Sequence, residues 1–264
     1  MMNKKLKLLK KILLKFKRML IAYSGGVDST FLLAVARKIL EKNNVLAVTA
    51  LSETYPKSDI KRTKDIVKKL DVNHIFIKTN ELENKNFIKN SRKRCFYCKN
   101  ELFKKLKSLA EKRRMILCDG SNFSDIKDFR PGKIAANIFN VMSPLEISKF
   151  KKAEIRKLSK KMNLDTWNIP AQACLASRFP YGTEISKNML QKIEKGEESI
   201  KKLGFTNVRL RHHGDIARIE IEKSEMKKCI NSNINKKIIL SLKKLGWKYI
   251  SVDIEGYRTG SLNY

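Results

Sequence analysis

The chain has 264 residues, with 58 Lys and Arg against 26 Asp and Glu for a formal charge of +32, and 42% of it is hydrophobic. That length admits one or two domains and that apolar content fills an ordinary core, which excludes collagenous, coiled-coil and wholly disordered chains. A surplus made of 44 Lys and 14 Arg attracts polyanions in a salt-dependent way, so by charge alone nucleic acid, nucleotides and anionic lipid stand open as partners. Cys95, Cys98, Cys118, Cys174 and Cys229 are an odd set in a chain with no secretion signal, which argues against a disulfide framework and for a reducing cytoplasm.

From Lys4 to Arg18, the residues Leu6, Leu9, Leu13 and Phe16 fall at helical spacing and predict an amphipathic helix packed on the body, with a membrane-surface helix as the alternative. The longest apolar run there, Ile12-Leu13-Leu14, is too short for a signal-peptide core or a membrane span, so no membrane partner is expected. Met19 to Tyr23 reads as a strand ending in a Ser-Gly-Gly turn, and Thr30 to Leu40 as a helix. The alternation continues with a strand over Val45 to Leu51, a helix over Lys57 to Leu70, a strand over His74 to Ile77, and a helix over Lys99 to Lys112. A strand over Met115 to Cys118 and a helix over Lys149 to Met162 complete it. Short strands alternating with longer helices predict an α/β fold with a doubly wound parallel sheet. The Pro-, Ala- and Ser-rich stretch from Trp167 to Tyr181 reads as a loop and puts a domain boundary near residue 165, giving domains 1–165 and 166–264. The second is predicted to be a small α+β unit, with helices over Ser186 to Leu203 and Asn235 to Leu245. Its strands are expected over Asn207 to Arg211, Ile216 to Ile221 and Tyr249 to Ile254.

Ser24-Gly25-Gly26-Val27-Asp28-Ser29-Thr30 lies between the first strand and the helix that follows it. Two glycines let the backbone approach an anion, and the N–H groups and dipole of a helix N-terminus favour phosphate. Ser29 and Thr30 add hydroxyl donors, and Asp28 can hold Mg²⁺ against the phosphates. The lysine and spacing of a GxxxxGK[ST] loop are absent. The segment resembles the SGGxDS motif of the PP-loop ATP pyrophosphatases, an adenine nucleotide alpha hydrolase-like superfamily. That resemblance implies ATP, cleaved between its α and β phosphates, with AMP passed to a substrate oxygen. Ala22, Ser52, Asp119 and Asn122 stand at or just beyond strand ends, where such sheets bind ligands.

Cys95-Phe96-Tyr97-Cys98 is a CxxC placed just before the helix expected at Lys99, a setting that favours thiolate for metal ligation or redox chemistry. Cys118 and Cys229 read as buried core, which leaves Cys95, Cys98 and Cys174 as candidate ligands. Three thiolates on a cubane iron–sulfur cluster leave one iron open to bind and deliver sulfide.

Asp119-Gly120-Ser121-Asn122, Arg130-Pro131-Gly132, Ser143-Pro144-Leu145, Ala173-Cys174-Leu175-Ala176-Ser177-Arg178 and Glu255-Gly256-Tyr257-Arg258-Thr259-Gly260-Ser261, with the loop above, resemble the LarE family of ATP-dependent sulfur transferases. The likeness runs over almost the whole chain. It implies a place in nickel-pincer nucleotide biosynthesis: adenylation of a carboxylate on pyridinium-3,5-dicarboxylic acid mononucleotide, then replacement of AMP by sulfur to give a thiocarboxylate. In one version of the family a single cysteine, matching Cys174, gives up its own sulfur and becomes dehydroalanine. In the other, three cysteines hold a [4Fe-4S] cluster that carries a replaceable sulfide. With the CxxC and Cys174 both present, the cluster version is expected, on Cys95, Cys98 and Cys174. Lys99 is expected at the α-phosphate.

Arg209 and Arg211 are two residues apart on a predicted strand and share a face. Paired guanidinium groups suit a phosphate monoester, and Arg258 and Arg178 are expected to join them; the resemblance also puts the substrate phosphate on arginines of this region. His212 and His213 are given no catalytic role. A tRNA-thiolating PP-loop enzyme stays open as the alternative, since the charge suits RNA, although no extra RNA-binding module or zinc knuckle accompanies it. A homo-oligomer acting on a small nucleotide is the expectation.

Overall fold

A computed structural model of the chain describes residues 2–127, 131–170, 173–258 and 260–262, apart from the side chains of residues 126 and 127. Two residues quoted above, Arg130 and Thr259, and residues 171 and 172 of the loop expected between Trp167 and Tyr181 lie outside the described residues. In chain order the elements are α1 (Met2–Phe16), β1 (Met19–Ala22), α2 (Val27–Ile39), β2 (Val45–Leu51), α3 (Lys57–Lys69), β3 (Asn73–Lys78), α4 (Lys85–Ile88), α5 (Arg94–Lys112) and β4 (Ile116–Cys118). They continue with α6 (Pro131–Ile138), α7 (Pro144–Ile147), α8 (Lys152–Lys161), α9 (Lys187–Lys201), β5 (Arg209–His213), β6 (Ile216–Glu220), α10 (Met226–Ile230), α11 (Ser232–Lys244) and β7 (Tyr249–Val252). Two compact units result, one of Met1–Glu81 with Lys93–Ile169, the other of Leu82–Arg92 with Pro170–Tyr264.

The first unit is an α/β fold on a four-stranded sheet in the order β3-β2-β1-β4, parallel throughout. Successive strand residues point to opposite faces, so Met19 and Ile21 join one core and Leu20 the other. The first core takes Leu9 and Leu13 of α1, the apolar face of α2, and Ile155 and Leu158 of α8. The second takes Phe103 and Leu106 of α5 and Ala135 and Ala136 of α6. Helices therefore cover both faces, as a parallel sheet requires. Leu6, Leu9, Leu13 and Phe16 of α1 are spent on the first core, which removes the apolar stripe that a membrane-surface helix would need. Among the described residues no helix is long and apolar enough to cross a membrane.

The second unit holds a three-stranded sheet in the order β5-β6-β7, antiparallel between β5 and β6 and parallel between β6 and β7. Leu190, Ile193 and Ile200 of α9, Leu210, Ala217 and Ile219 of the strands, and Ile238, Leu242 and Trp247 form its buried interior. The segment 82–92 is tied to the chain after Cys174: Gly182 N–H donates to Asn90 C=O (3.1 Å), Ile185 N–H to Ile88 C=O (3.0 Å), and the Asn90 amide to Pro180 C=O (2.7 Å).

Candidate active site

β1 ends at Ala22, and the chain then turns through Ser24, Gly25 and Gly26 into α2. Gly25 has φ +69°, and a Cβ there would stand 2.6 Å from Thr63 Cγ2, so both its backbone and its surroundings demand glycine. The Tyr55 hydroxyl donates to Ser24 C=O at 2.7 Å, and the Ser29 hydroxyl lies 3.3 Å from Gly26 C=O and 3.2 Å from Ser24 Oγ. No side chain caps α2 at Gly26, which leaves its first turn to an anion. Replacing Tyr55 with Phe removes one bond holding this loop; we expect a cost of about 1 kcal/mol in thermal unfolding and a several-fold higher KM for ATP.

The turn after β4 lies directly against this loop. A Cβ on Gly120 would stand 2.9 Å from Ser29 N and 3.0 Å from Ser29 Cα. Both segments leave the carboxyl ends of neighbouring strands, β1 and β4, on either side of the point where the order 3-2-1-4 reverses, the usual place for a ligand in an open α/β sheet. Asp28 accepts an ion pair from Lys152 through Oδ2, while its buried Oδ1 has no partner among the described residues. Burial pushes its pKa up and Lys152 pulls it part of the way back. An acidic oxygen unused by the protein, beside a phosphate cradle, fits the cation that accompanies ATP.

Several expected contacts differ. The Thr30 hydroxyl is turned beneath the loop to Tyr23 Oη at 3.3 Å and Thr30 is buried, so it does not face a phosphate. Asp119 is occupied in shaping its own turn: Oδ1 accepts from Ser121 N–H (3.1 Å) and the Ser143 hydroxyl (2.7 Å), and Oδ2 from the Ser121 hydroxyl (2.7 Å). Asn122 Oδ1 likewise accepts from Ser124 N–H at 2.9 Å. Ser52 lies just past β2, its Oγ 2.8 Å from Thr54 Oγ1.

The CxxC also lies differently: α5 begins at Arg94 rather than Lys99, so Cys95 and Cys98 belong to its first turns and are neighbours on one side of the helix. Cys95 is exposed and Cys98 half-buried. The Cys98 thiol is 3.6 Å from Glu81 Oε1, which also accepts from the Thr79 hydroxyl at 3.0 Å. Glu81 is buried, and burial pushes its pKa up. Lys99 is exposed, its ammonium 5.3 Å from the centre of the Phe103 ring. Cys118 is core, its thiol pushed well up by burial, whereas Cys229 on α10 is only half-buried. Among the described residues no group of three or more His, Cys, Asp or Glu is gathered for a metal ion; the two CxxC thiols, one helical turn apart, fit adjacent ligands of a cluster.

In the second unit Cys174 precedes a helical turn, Leu175–Arg178. Arg178 was expected on the substrate phosphate, but its guanidinium is turned inward. Nε and Nη2 donate to the two oxygens of Glu197 (2.8 and 3.0 Å), and Nη1 reaches Ala173 C=O (2.7 Å), Cys174 C=O (3.0 Å) and Ser177 Oγ (3.1 Å). Burial opposes its charge, yet Glu197 more than offsets this and holds its pKa above the ordinary guanidinium value.

Arg209 and Arg211 share one face of β5, and Arg218, which the sequence reading passed over, pairs directly opposite Arg211 on β6. Arg211 donates to Glu220 (2.7 Å), Ser261 Oγ (3.0 Å) and Ser177 C=O (2.9 Å), while its Nε and that of Arg218 are buried without a partner among the described residues. Arg258 pairs with Asp253 at 3.3 Å and with Glu255. Burial, then the charge of Arg178, pulls the pKa of Arg209 below its ordinary value, while its Nη1 donates to Asn207 Oδ1 at 3.2 Å and to Val208 C=O at 3.0 Å. His212 is a core residue, its Nδ1 accepting from Trp247 Nε1–H at 3.2 Å.

A glycine cradle at this switch point, with no phosphate-binding lysine in the loop, defines a PP-loop enzyme that uses ATP. Residues 1–119 match the family model described as NAD synthase. An uncharacterized protein of Synechocystis sp. is 36% identical over 264 residues, which span 100% of this chain and 98% of that protein. The pyridinium-3,5-bisthiocarboxylic acid mononucleotide synthase of Lactiplantibacillus plantarum is 30% identical over 250 residues, 94% of this chain and 89% of that enzyme. An uncharacterized protein of Methanocaldococcus jannaschii is 34% identical over 248 residues, 93% of this chain and 92% of its own. The chain thus belongs to the family of that synthase, the LarE family, and is an enzyme of the sulfur-transferase type.

Proposed function

We propose that the protein adenylates a carboxylate of pyridinium-3,5-dicarboxylic acid mononucleotide with ATP and replaces AMP by sulfur, giving a thiocarboxylate. The observation that carries this reading is the phosphate cradle of Gly25, Gly26 and α2, locked against the Gly120 turn, in a member of this family. A substrate carboxylate oxygen attacks the α-phosphorus, the bond to the β-phosphate oxygen breaks, and pyrophosphate leaves on the N–H groups of α2. Asp28 Oδ1 would hold Mg²⁺, which neutralises the phosphates, and Lys99 would meet the α-phosphate. Sulfur then attacks the acyl carbon and AMP leaves. A [4Fe-4S] cluster on Cys95, Cys98 and Cys174 would supply a replaceable sulfide for that step; in the alternative, Cys174 gives its own sulfur. Such thiols persist in a reducing cytoplasm. Arg209, Arg211, Arg218 and Arg258 are read as the substrate's phosphate site, with Arg211 and Arg218 each carrying a buried Nε–H that has no partner among the described residues.

Pyrophosphate and AMP should appear only when ATP, Mg²⁺ and the dicarboxylic acid mononucleotide are present together. Release that depends on bulk tRNA instead would return the tRNA-thiolating reading. Arg211→Ala should raise the KM for the mononucleotide about 10- to 100-fold, the worth of one hydrogen bond to a charged group, with the KM for ATP unchanged. An equal rise in both would remove the phosphate from this sheet. Arg211→Lys keeps a cation beside the fully buried Glu220 and serves where the alanine variant does not fold.

A further inference from the structure

Glu197 and Arg178 are 3% and 2% exposed, among neighbours such as Leu175, Ala176 and Phe179 that are themselves buried and apolar. Taking two charges out of water is costly, and only good geometry offsets it. Here the geometry is a two-pronged pair, and its remaining donor is directed at the backbone beside one residue. Nη1 of Arg178 bonds the carbonyls of Ala173 and Cys174, and the Cys174 carbonyl also accepts from Ser177 N–H at 2.9 Å. Glu197 in turn accepts Leu210 N–H of β5 at 3.0 Å, and Arg211 of the same strand holds Ser177 C=O. A continuous set of bonds runs from β5 through Glu197 and Arg178 to the peptide groups on either side of Cys174.

We propose that the Arg178–Glu197 pair is a positioning device for the Cys174 sulfur, fixing the backbone from which the thiol is presented, and that Arg178 takes no part in holding the substrate phosphate. The proposal rests on Cys174 serving the sulfur step, by either route. A reacting atom has to lie within roughly 3–3.5 Å of its target, and a displacement of about 1 Å costs on the order of 10²-fold in rate.

Arg178→Lys keeps a charge for Glu197 but gives up the fork that reaches the two carbonyls. We expect amide exchange at residues 173–179 to quicken about 10-fold or more, as for the loss of a hydrogen bond to a charged group, with α9 and β5 unchanged. The rate of thiolation should fall about 10- to 100-fold, while mononucleotide-dependent pyrophosphate release and the KM for the mononucleotide stay within about 2-fold of the parent. A raised KM with an unchanged thiolation rate would make Arg178 a substrate ligand and overturn the proposal, as would quicker exchange with unchanged thiolation. Should the lysine variant not fold, Glu197→Gln, which weakens the anchor and leaves the guanidinium, takes the same measurements. If the parent protein releases no pyrophosphate with the mononucleotide, the functional reading fails separately. The iodoacetamide alkylation rate of Cys174, taken as a ratio to Cys95 in the same sample, then decides alone. A ratio identical in parent and variant would overturn the positioning role.

Discussion

Replacing Cys174 with Ala should abolish thiocarboxylate formation while mononucleotide-dependent pyrophosphate release continues. Under the proposed function the two half-reactions draw on different parts of the chain: the cradle of Gly25, Gly26 and α2 belongs to the first compact unit, and Cys174 to the second. Tyr55, Thr63 and the Gly120 turn, which shape the loop among the described residues, all belong to the first unit, so under the proposed function the adenylate should still form and be lost to water. The companion variants Cys95→Ala and Cys98→Ala then separate the two sulfur routes. Under the cluster route each removes thiolation as fully as Cys174→Ala does, and the iron content of anaerobically reconstituted protein falls from about four per chain. Under the sacrificial route both keep a first turnover, and the intact parent protein loses the mass of hydrogen sulfide at Cys174. Continued thiocarboxylate formation by Cys174→Ala would remove this residue from the sulfur step altogether.

The fold was legible where hydrophobic period and turn chemistry agree. β2 was expected over Val45–Leu51 and has those bounds, because a run buried on both faces ends cleanly at polar residues. The start of α5 was missed by five residues, since Arg94 to Cys98 carries no capping residue: Lys93 makes no side-chain cap. Short elements such as α4 and α7, four residues each, leave no period to read. Site residues divided along a similar line. Backbone-driven features, the glycine cradle above all, are written in local sequence. Side chains whose meaning lies in a distant partner are not. Lys152, which pairs with Asp28 from 124 positions away, was one of 44 lysines. The local sequence around Arg178 does not show that its guanidinium pairs with Glu197, a buried carboxylate 19 residues on. Arg218 became visible only through its register opposite Arg211. The large positive charge said least about function, for the cations proposed to hold the substrate phosphate are arginines, whereas most of the surplus is lysine.

Gly25→Ala should lower kcat/KM for ATP by about 10²-fold, from two costs of similar size. A non-glycine residue at φ +69° pays roughly 1–2 kcal/mol for the left-handed backbone, and the added methyl, 2.6 Å from Thr63 Cγ2, pays roughly 1–3 kcal/mol for overpacking. Thr63→Ser separates them. Serine keeps the hydroxyl bond that Thr63 makes to Ile60 C=O at 2.7 Å and lacks only the clashing methyl, so the double variant should regain about 10-fold, the equivalent of ~1.4 kcal/mol, and no more. Full recovery would mean that the backbone conformation carries no cost, and no recovery would mean that the methyl is not the obstacle. Gly120→Ala is the contrasting case. Its nearest neighbours are the backbone N and Cα of Ser29 at 2.9 and 3.0 Å, and no side-chain trimming can make room against a main chain. The loop itself must shift, and we expect this variant to raise the KM for ATP without any single substitution at Ser29 restoring it. A rescue by Ser29→Ala would place the contact on the hydroxyl side chain and undo the packing of the two strand-end turns on which the cradle depends.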